Sequence, residues 1–189
     1  MGRRIAVVAL GMAMVMSGTA GNASAAPEKS IRGEGVFAAY TPGAVAVDYD
    51  STHVPVGAWA QMRGWTYGPQ PKATTMVLTV RGLLPNHAYG AHVHMKPCGA
   101  TADTSGSHYQ NVPDPKQPSV DPQYANPRNE MWLDFTTDRN GVAYAETTVD
   151  WVPRAGQANA VVIHANHTSM EPGQSGTAGA RLACLTVAF

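Results

Sequence analysis

His92 and His94 stand two residues apart in the run Gly90-Ala91-His92-Val93-His94. Successive side chains of a strand point to opposite faces, so this pair displays two imidazoles side by side. Cys98 follows closely, and His108 comes fourteen residues after His94 in Gly106-Ser107-His108-Tyr109. His164 ends the apolar run Val161-Val162-Ile163. A histidine in that setting is either buried and hydrogen-bonded or ligating something. Four imidazoles make a donor set for a transition metal. Neutral imidazole suits copper(II), and at equal geometry copper binds more tightly than zinc. Zinc has no second oxidation state, so redox chemistry on these nitrogens calls for copper.

The remaining histidines read differently. His53 lies between early strands, His87 in a loop before the paired histidines, and His167 faces away from His164 if that strand continues. Each is expected to be solvated. Met95 and Met131 flank the region and could offer thioethers to copper(I), but methionine at strand spacing is more often core packing.

The elements that must position these residues are strands. Alternation of period two recurs along the chain, and no amphipathic helical pattern longer than a turn appears beyond the N-terminal segment. Strands are expected near 33–40, 44–50, 58–65, 75–82, 89–95, 131–137, 143–150, 160–165 and 182–188. They are separated by Thr41-Pro42-Gly43, Tyr67-Gly68-Pro69, Leu84-Pro85-Asn86 and Asp138-Arg139-Asn140-Gly141. Asn140-Gly141 is the strongest hairpin signal, of the type I′ kind with positive φ at both residues. Eight or nine short strands imply an all-β chain, a Greek-key β-sandwich or flattened barrel. Residues 26–31 are expected to be a mobile terminus. Two long loops, 97–130 with six prolines and 166–180 with Gly173, Gly176 and Gly179, each begin just beyond a histidine-bearing strand. Loops of that length in a compact domain are usually functional or disordered.

Residues 1–25 read as a secretory signal peptide: Arg3 and Arg4, an apolar core from Ile5 to Met16, then Ala23-Ser24-Ala25 as a cleavage site. The apolar run is short for crossing roughly 30 Å of hydrocarbon, so no membrane span is expected. The domain is then 26–189, in a secreted, periplasmic or cell-envelope setting. The full chain carries 13 basic and 13 acidic residues, and no basic stripe announces a nucleic-acid partner. Two cysteines in an exported chain favour a disulfide. A Cys98–Cys184 bridge would close a loop of about 86 residues, which the chain-entropy model values at about 4 to 5 kcal/mol.

Three segments resemble the copper/zinc superoxide dismutase family. Gly90-Ala91-His92-Val93-His94 is similar to its Gly-Phe-His-Val-His strand, with Ala91 where an aromatic is common. Gly106-Ser107-His108-Tyr109 is similar to its Gly-Gly-His-Phe segment, and Gly176-Thr177-Ala178-Gly179-Ala180-Arg181-Leu182-Ala183-Cys184 follows its Gly-Asn-Ala-Gly-Ser-Arg-Leu-Ala-Cys run almost residue for residue. The resemblance implies that His92, His94, His108 and His164 bind copper and that Cys98 and Cys184 are bridged. It also implies that Arg181 guides the superoxide anion and that His108 carries a proton.

The family's zinc site is where the sequence departs. Relatives supply two further histidines and an aspartate beyond the bridging histidine, whereas no histidine occurs from Tyr109 to Ile163. Arg128 or Asn129, and Glu130 or Met131, stand near the expected ligands. One imidazole with stray carboxylates is a poor four-coordinate zinc site, so zinc is expected to be absent and the chain resembles the copper-only branch. Prolines 113–127 would then order the loop by lowering unfolded-state entropy, and Glu130 would fix the His108 tautomer from outside the ligand set. Loop 166–180 contains no lysine or arginine and one acid, Glu171, so long-range steering should be weak. The leading reading is a superoxide dismutase. The alternative is a copper buffer on the same fold, although Cys-x-Cys and methionine-rich tails are missing and a buffer needs no anion guide.

Overall fold

In β5 (Ala88–His94) Tyr89, Ala91 and Val93 turn to the core, while His92 and His94 turn to the opposite face. That opposite face is covered rather than solvated, which sets the architecture of the chain. The computed structural model describes Gly2 and residues 27–67 and 72–189. The expected signal segment and the turn at Gly68 and Pro69 lie outside the described residues.

Two antiparallel sheets face each other. The first has the order β1 (Pro27–Val36), β3 (Trp59–Tyr67), β4 (Thr74–Arg81), β7 (Ala143–Val149). The second runs β2 (Ala46–Asp48), β9 (Arg181–Thr186), β8 (Ala160–His164), β5, β6 (Phe135–Thr136). β7 returns across the molecule to lie beside β4, and β8 then lies beside β5, the out-and-back path of a Greek key. The sheets do not close on one another, so the expected sandwich is present and the barrel alternative is not. Met62, Leu78, Val80 and Ala145 from one sheet meet Tyr89, Val93, Val161, Ile163 and Leu185 from the other in a continuous apolar core. Burying each of the larger aliphatic side chains is worth about 1.5 to 3 kcal/mol.

Three local expectations change. Residues 27–31 are strand, not a mobile terminus: Ile31 pairs with Gly64 and is buried in the core, and that apolar anchor holds the segment. Asn140-Gly141 is not a type I′ turn, because only Gly141 has positive φ (71°). The Gly141 N–H instead bonds the Asp138 carbonyl at 3.0 Å, and the Asp138 carboxylate accepts from Asn140 and Val142 N–H. An acid four residues before the turn's exit therefore stabilises a type I turn with a left-handed glycine behind it. β6 shrinks to two residues because the ladder is interrupted at Asp134, whose carboxylate accepts the Ala91 N–H, while 131–133 stay bonded to β5 through an isolated bridge at Trp132 and His92.

Both long loops cross the outer face of the five-stranded sheet. A Cβ on Gly90 would lie 2.5 Å from the Asn166 carbonyl and 2.7 Å from Ala178, so only glycine lets the second loop pass over β5 there. The first loop is stapled to β9 by the Cys98–Cys184 disulfide, and Ser175 Oγ joins the two loops by donating to the Ala125 carbonyl at 2.7 Å. No helix among the described residues is long and apolar enough to cross a membrane.

Candidate metal centre

Register carries the histidines together. His92 faces Val162 across the β5–β8 ladder and Gly90 faces His164, so His92 and His164 are diagonal neighbours on the covered face. A register shift in the β8–β9 ladder between Ile163 and His164 pairs His164 with Arg181, leaving Leu182 of β9 as the extra residue. The loop residue His108 forms an isolated bridge with His94. One nitrogen from each of His92, His94, His108 and His164 lies within 4.8 Å of all the others. All four expected ligands are therefore in one cluster, the sole cluster of that kind among the described residues.

The surroundings fix which nitrogen each ring presents. His94 donates from Nδ1 to the Gly106 carbonyl (3.0 Å), His164 from Nδ1 to the Gly179 carbonyl (3.4 Å), and His108 from Nδ1 to Glu130 (2.8 Å). Each leaves an Nε2 lone pair pointing inward. His92 is reversed. Its Nε2 meets Thr168 Oγ1 at 2.6 Å, and because the threonine hydroxyl donates to Asp134 (2.7 Å), it must accept from His92. His92 Nδ1 is then buried without any hydrogen-bond partner. His94 Nε2 and His164 Nε2 confront each other at 3.4 Å. A buried orphan nitrogen and facing lone pairs are costly in a protein interior and are resolved by a cation. The donor set thus fits a nitrogen-binding metal ion.

Electrostatics point the same way. Burial, followed by the neighbouring imidazoles, holds His92 and His94 well below the usual histidine range. Burial, with His108 next to it, pushes His164 down to about 3. Neutral rings are the state a metal requires.

Around the cluster, Glu130 is 1% exposed and satisfied by three donors: His108 Nδ1 and Trp132 Nε1 on one oxygen, Gln110 Nε2 on the other. The expected contact between Glu130 and His108 is present. Arg181 donates to the Ala102 carbonyl (3.2 Å) and Ser105 Oγ (3.1 Å) and, with His108 and His164, lines an open cavity of about 330 Å³. Gln117, Pro118 and Val120 of the proline-rich loop form its far wall.

Sequence reasoning missed several supports. Thr168 and Asp134 orient His92, and Asp134 was legible only as the lone charge in the apolar run Met131-Trp132-Leu133-Asp134-Phe135. The segment after β7 clasps both ends of the 108–130 loop. Trp151 Nε1 donates to the Arg128 carbonyl at 2.8 Å, while the Arg154 guanidinium stacks on Tyr109 and donates to the carbonyls of Gln110 and Asn111. These polar ties hold a loop whose order was expected to come from its prolines. His87 is half-buried rather than solvated, because Tyr89 packs against its ring.

Residues 65–187 match the family model for copper/zinc superoxide dismutase. Among curated proteins none matches closely enough to serve as a relative. The match spans the four histidines, both cysteines, Glu130 and Arg181, the residues that the geometry has already brought to one place. The chain belongs to the copper/zinc superoxide dismutase family.

Proposed function

We propose that residues 26–189 form an exported superoxide dismutase that works with copper on His92, His94, His108 and His164 and without zinc, residues 1–25 being a signal peptide. The orphaned, buried Nδ1 of His92 carries the copper reading, since no group among the described residues partners it. Copper, when bound, supplies the two oxidation states that allow one superoxide to be oxidised to oxygen and another reduced to peroxide.

The chain's own residues do the rest. Arg181 is fixed by Ala102 and Ser105 with one face to the cavity, where its permanent charge holds a small anion next to His108 and His164. His108 keeps its Nδ1 proton on Glu130, so Nε2 is the atom that takes and releases a further proton. The Glu130 carboxylate stabilises the cationic ring formed at that moment. Two protons and two superoxide ions then give one oxygen and one hydrogen peroxide. The same Glu130 contact supports the absence of zinc, because it occupies the nitrogen that a bridging histidine would offer to a second metal. Export is supported by the Cys98–Cys184 disulfide, a feature of oxidising compartments.

The test is elemental analysis of purified protein with a superoxide-decay assay on the copper-loaded chain. One copper per chain, activity that stripping zinc leaves unchanged, and activity lost in His164→Ala and depressed in Arg181→Ala are expected. Copper binding without dismutation would leave the buffer reading in its place.

A further inference from the structure

His53 and His87 lie at the opposite end of β5 from the cluster, roughly 16 Å from His92 by strand rise. Asp50 Oδ2 accepts the His53 Nδ1 proton at 2.9 Å, while Asp50 Oδ1 accepts the backbone N–H of Thr52 and His53. The carboxylate is locked in place, and the His53 hydrogen bond holds it below the ordinary carboxyl range. This is the carboxylate–histidine pairing that presets a metal ligand, leaving the His53 Nε2 lone pair free. The ring is 39% exposed, so an ion can reach it. His87 Nε2, by contrast, is buried and has no hydrogen-bond partner, one of only three such side-chain atoms among the described residues.

The two ring centres are 5.9 Å apart. In the four-histidine cluster the corresponding separations run from 4.0 to 5.8 Å. With metal–nitrogen bonds of about 2.0 Å, two imidazoles on one ion stand up to roughly 6 Å apart, centre to centre. Tyr89 holds the arrangement: its ring packs edge-on against His87, and its hydroxyl donates to the His53 carbonyl at 2.7 Å.

We propose that His53 and His87 form a second cation site, taking one divalent ion of the zinc class on two imidazole nitrogens, with Asp50 orienting His53 and water completing the coordination. This site is remote from the histidine cluster and does not depend on the reading given to that cluster.

The test uses copper-loaded full chain titrated calorimetrically with zinc ion, copper being the tighter occupant of the cluster. One further equivalent of zinc is expected, absent in His53→Ala and in His87→Ala and weakened tenfold or more in Asp50→Asn. Imidazole ¹⁵N spectra should show zinc-dependent shifts at both rings. His53 is surface-accessible, so His53→Ala keeps the fold, and an unchanged copper spectrum verifies that. No further equivalent in the parent chain, or an equivalent retained in His53→Ala, overturns the proposal.

Discussion

His94 Nε2 and His164 Nε2 face each other at 3.4 Å, and both rings spend their only proton on a backbone carbonyl behind them. Nothing between the two nitrogens can donate. The protein therefore folds around a cluster of lone pairs, and its stability depends on keeping them unprotonated.

That dependence has a sign. His92, His94 and His164 bind protons less readily folded than unfolded, because burial disfavours the charged ring. Between pH 6.5 and the folded value the unfolded chain carries more protons, so stability falls as pH falls through that window. The shift of His164 to about 3 is by itself worth about 2 kcal/mol between pH 7 and pH 5, and His92 and His94 act in the same direction, so Tm of the metal-free protein should fall across that range. Thermal melts of apo protein across that range check it, and His164→Gln should make the slope shallower. A flat Tm would contradict the assigned protonation. Copper holds the rings neutral, so the loaded protein should lose stability only at lower pH.

Glu130 accepts from His108, Trp132 and Gln110 at once. Glu130→Gln keeps the shape but removes the charge that stabilises a proton on His108 Nε2. Dismutation should fall roughly 10- to 100-fold, with copper affinity lowered alongside it. Glu130→Asp should recover part of the rate if the carboxylate matters through its charge. Parental activity and copper affinity in Glu130→Gln would remove Glu130 from the mechanism.

How much of this was visible beforehand follows from the range of each signal. Period-two alternation is local, so all nine strands and the shared face of His92 and His94 could be read from the sequence. The match of Gly176 to Cys184 placed Arg181 and the disulfide. Thr168 was invisible, and Asp134 showed only as a charge in an apolar run, because their roles depend on a contact across 34 residues of chain. Arg154 reaches back 44 residues to Gln110. Such partners have no spacing rule, since the loops that bring them together follow the disulfide and the sheet rather than a repeat. The turn at Asn140-Gly141 was misjudged for the opposite reason. Asp138 competes locally for the N–H groups of Asn140 and Val142 and selects a different turn.

Arg154 offers a sharp test of what orders the 108–130 loop. Its guanidinium spans two carbonyls beside His108, a fork that lysine cannot reproduce. Arg154→Ala should cost about 2 to 3 kcal/mol. Hydrogen exchange should accelerate at residues 108–130 and not in β3 and β4, and Arg154→Lys should restore little. Unchanged protection in the loop would return its ordering to the prolines.

Salt bears on how superoxide finds Arg181. The loop 166–180 beside the cavity has no cation, and its one acid, Glu171, is exposed. Arg181 is itself 23% exposed and tied to the Ala102–Ser105 helical turn, so its attraction acts at close range, where counter-ions screen poorly. The dismutation rate should therefore change by about threefold or less between low and physiological ionic strength. Arg181→Ala should lower the rate at every salt concentration and leave that slope nearly unaltered. Placing a lysine at exposed Glu171 should steepen it, since that creates the long-range field the parent chain lacks. A tenfold fall with salt in the parent protein would mean that charges elsewhere on the surface do the steering.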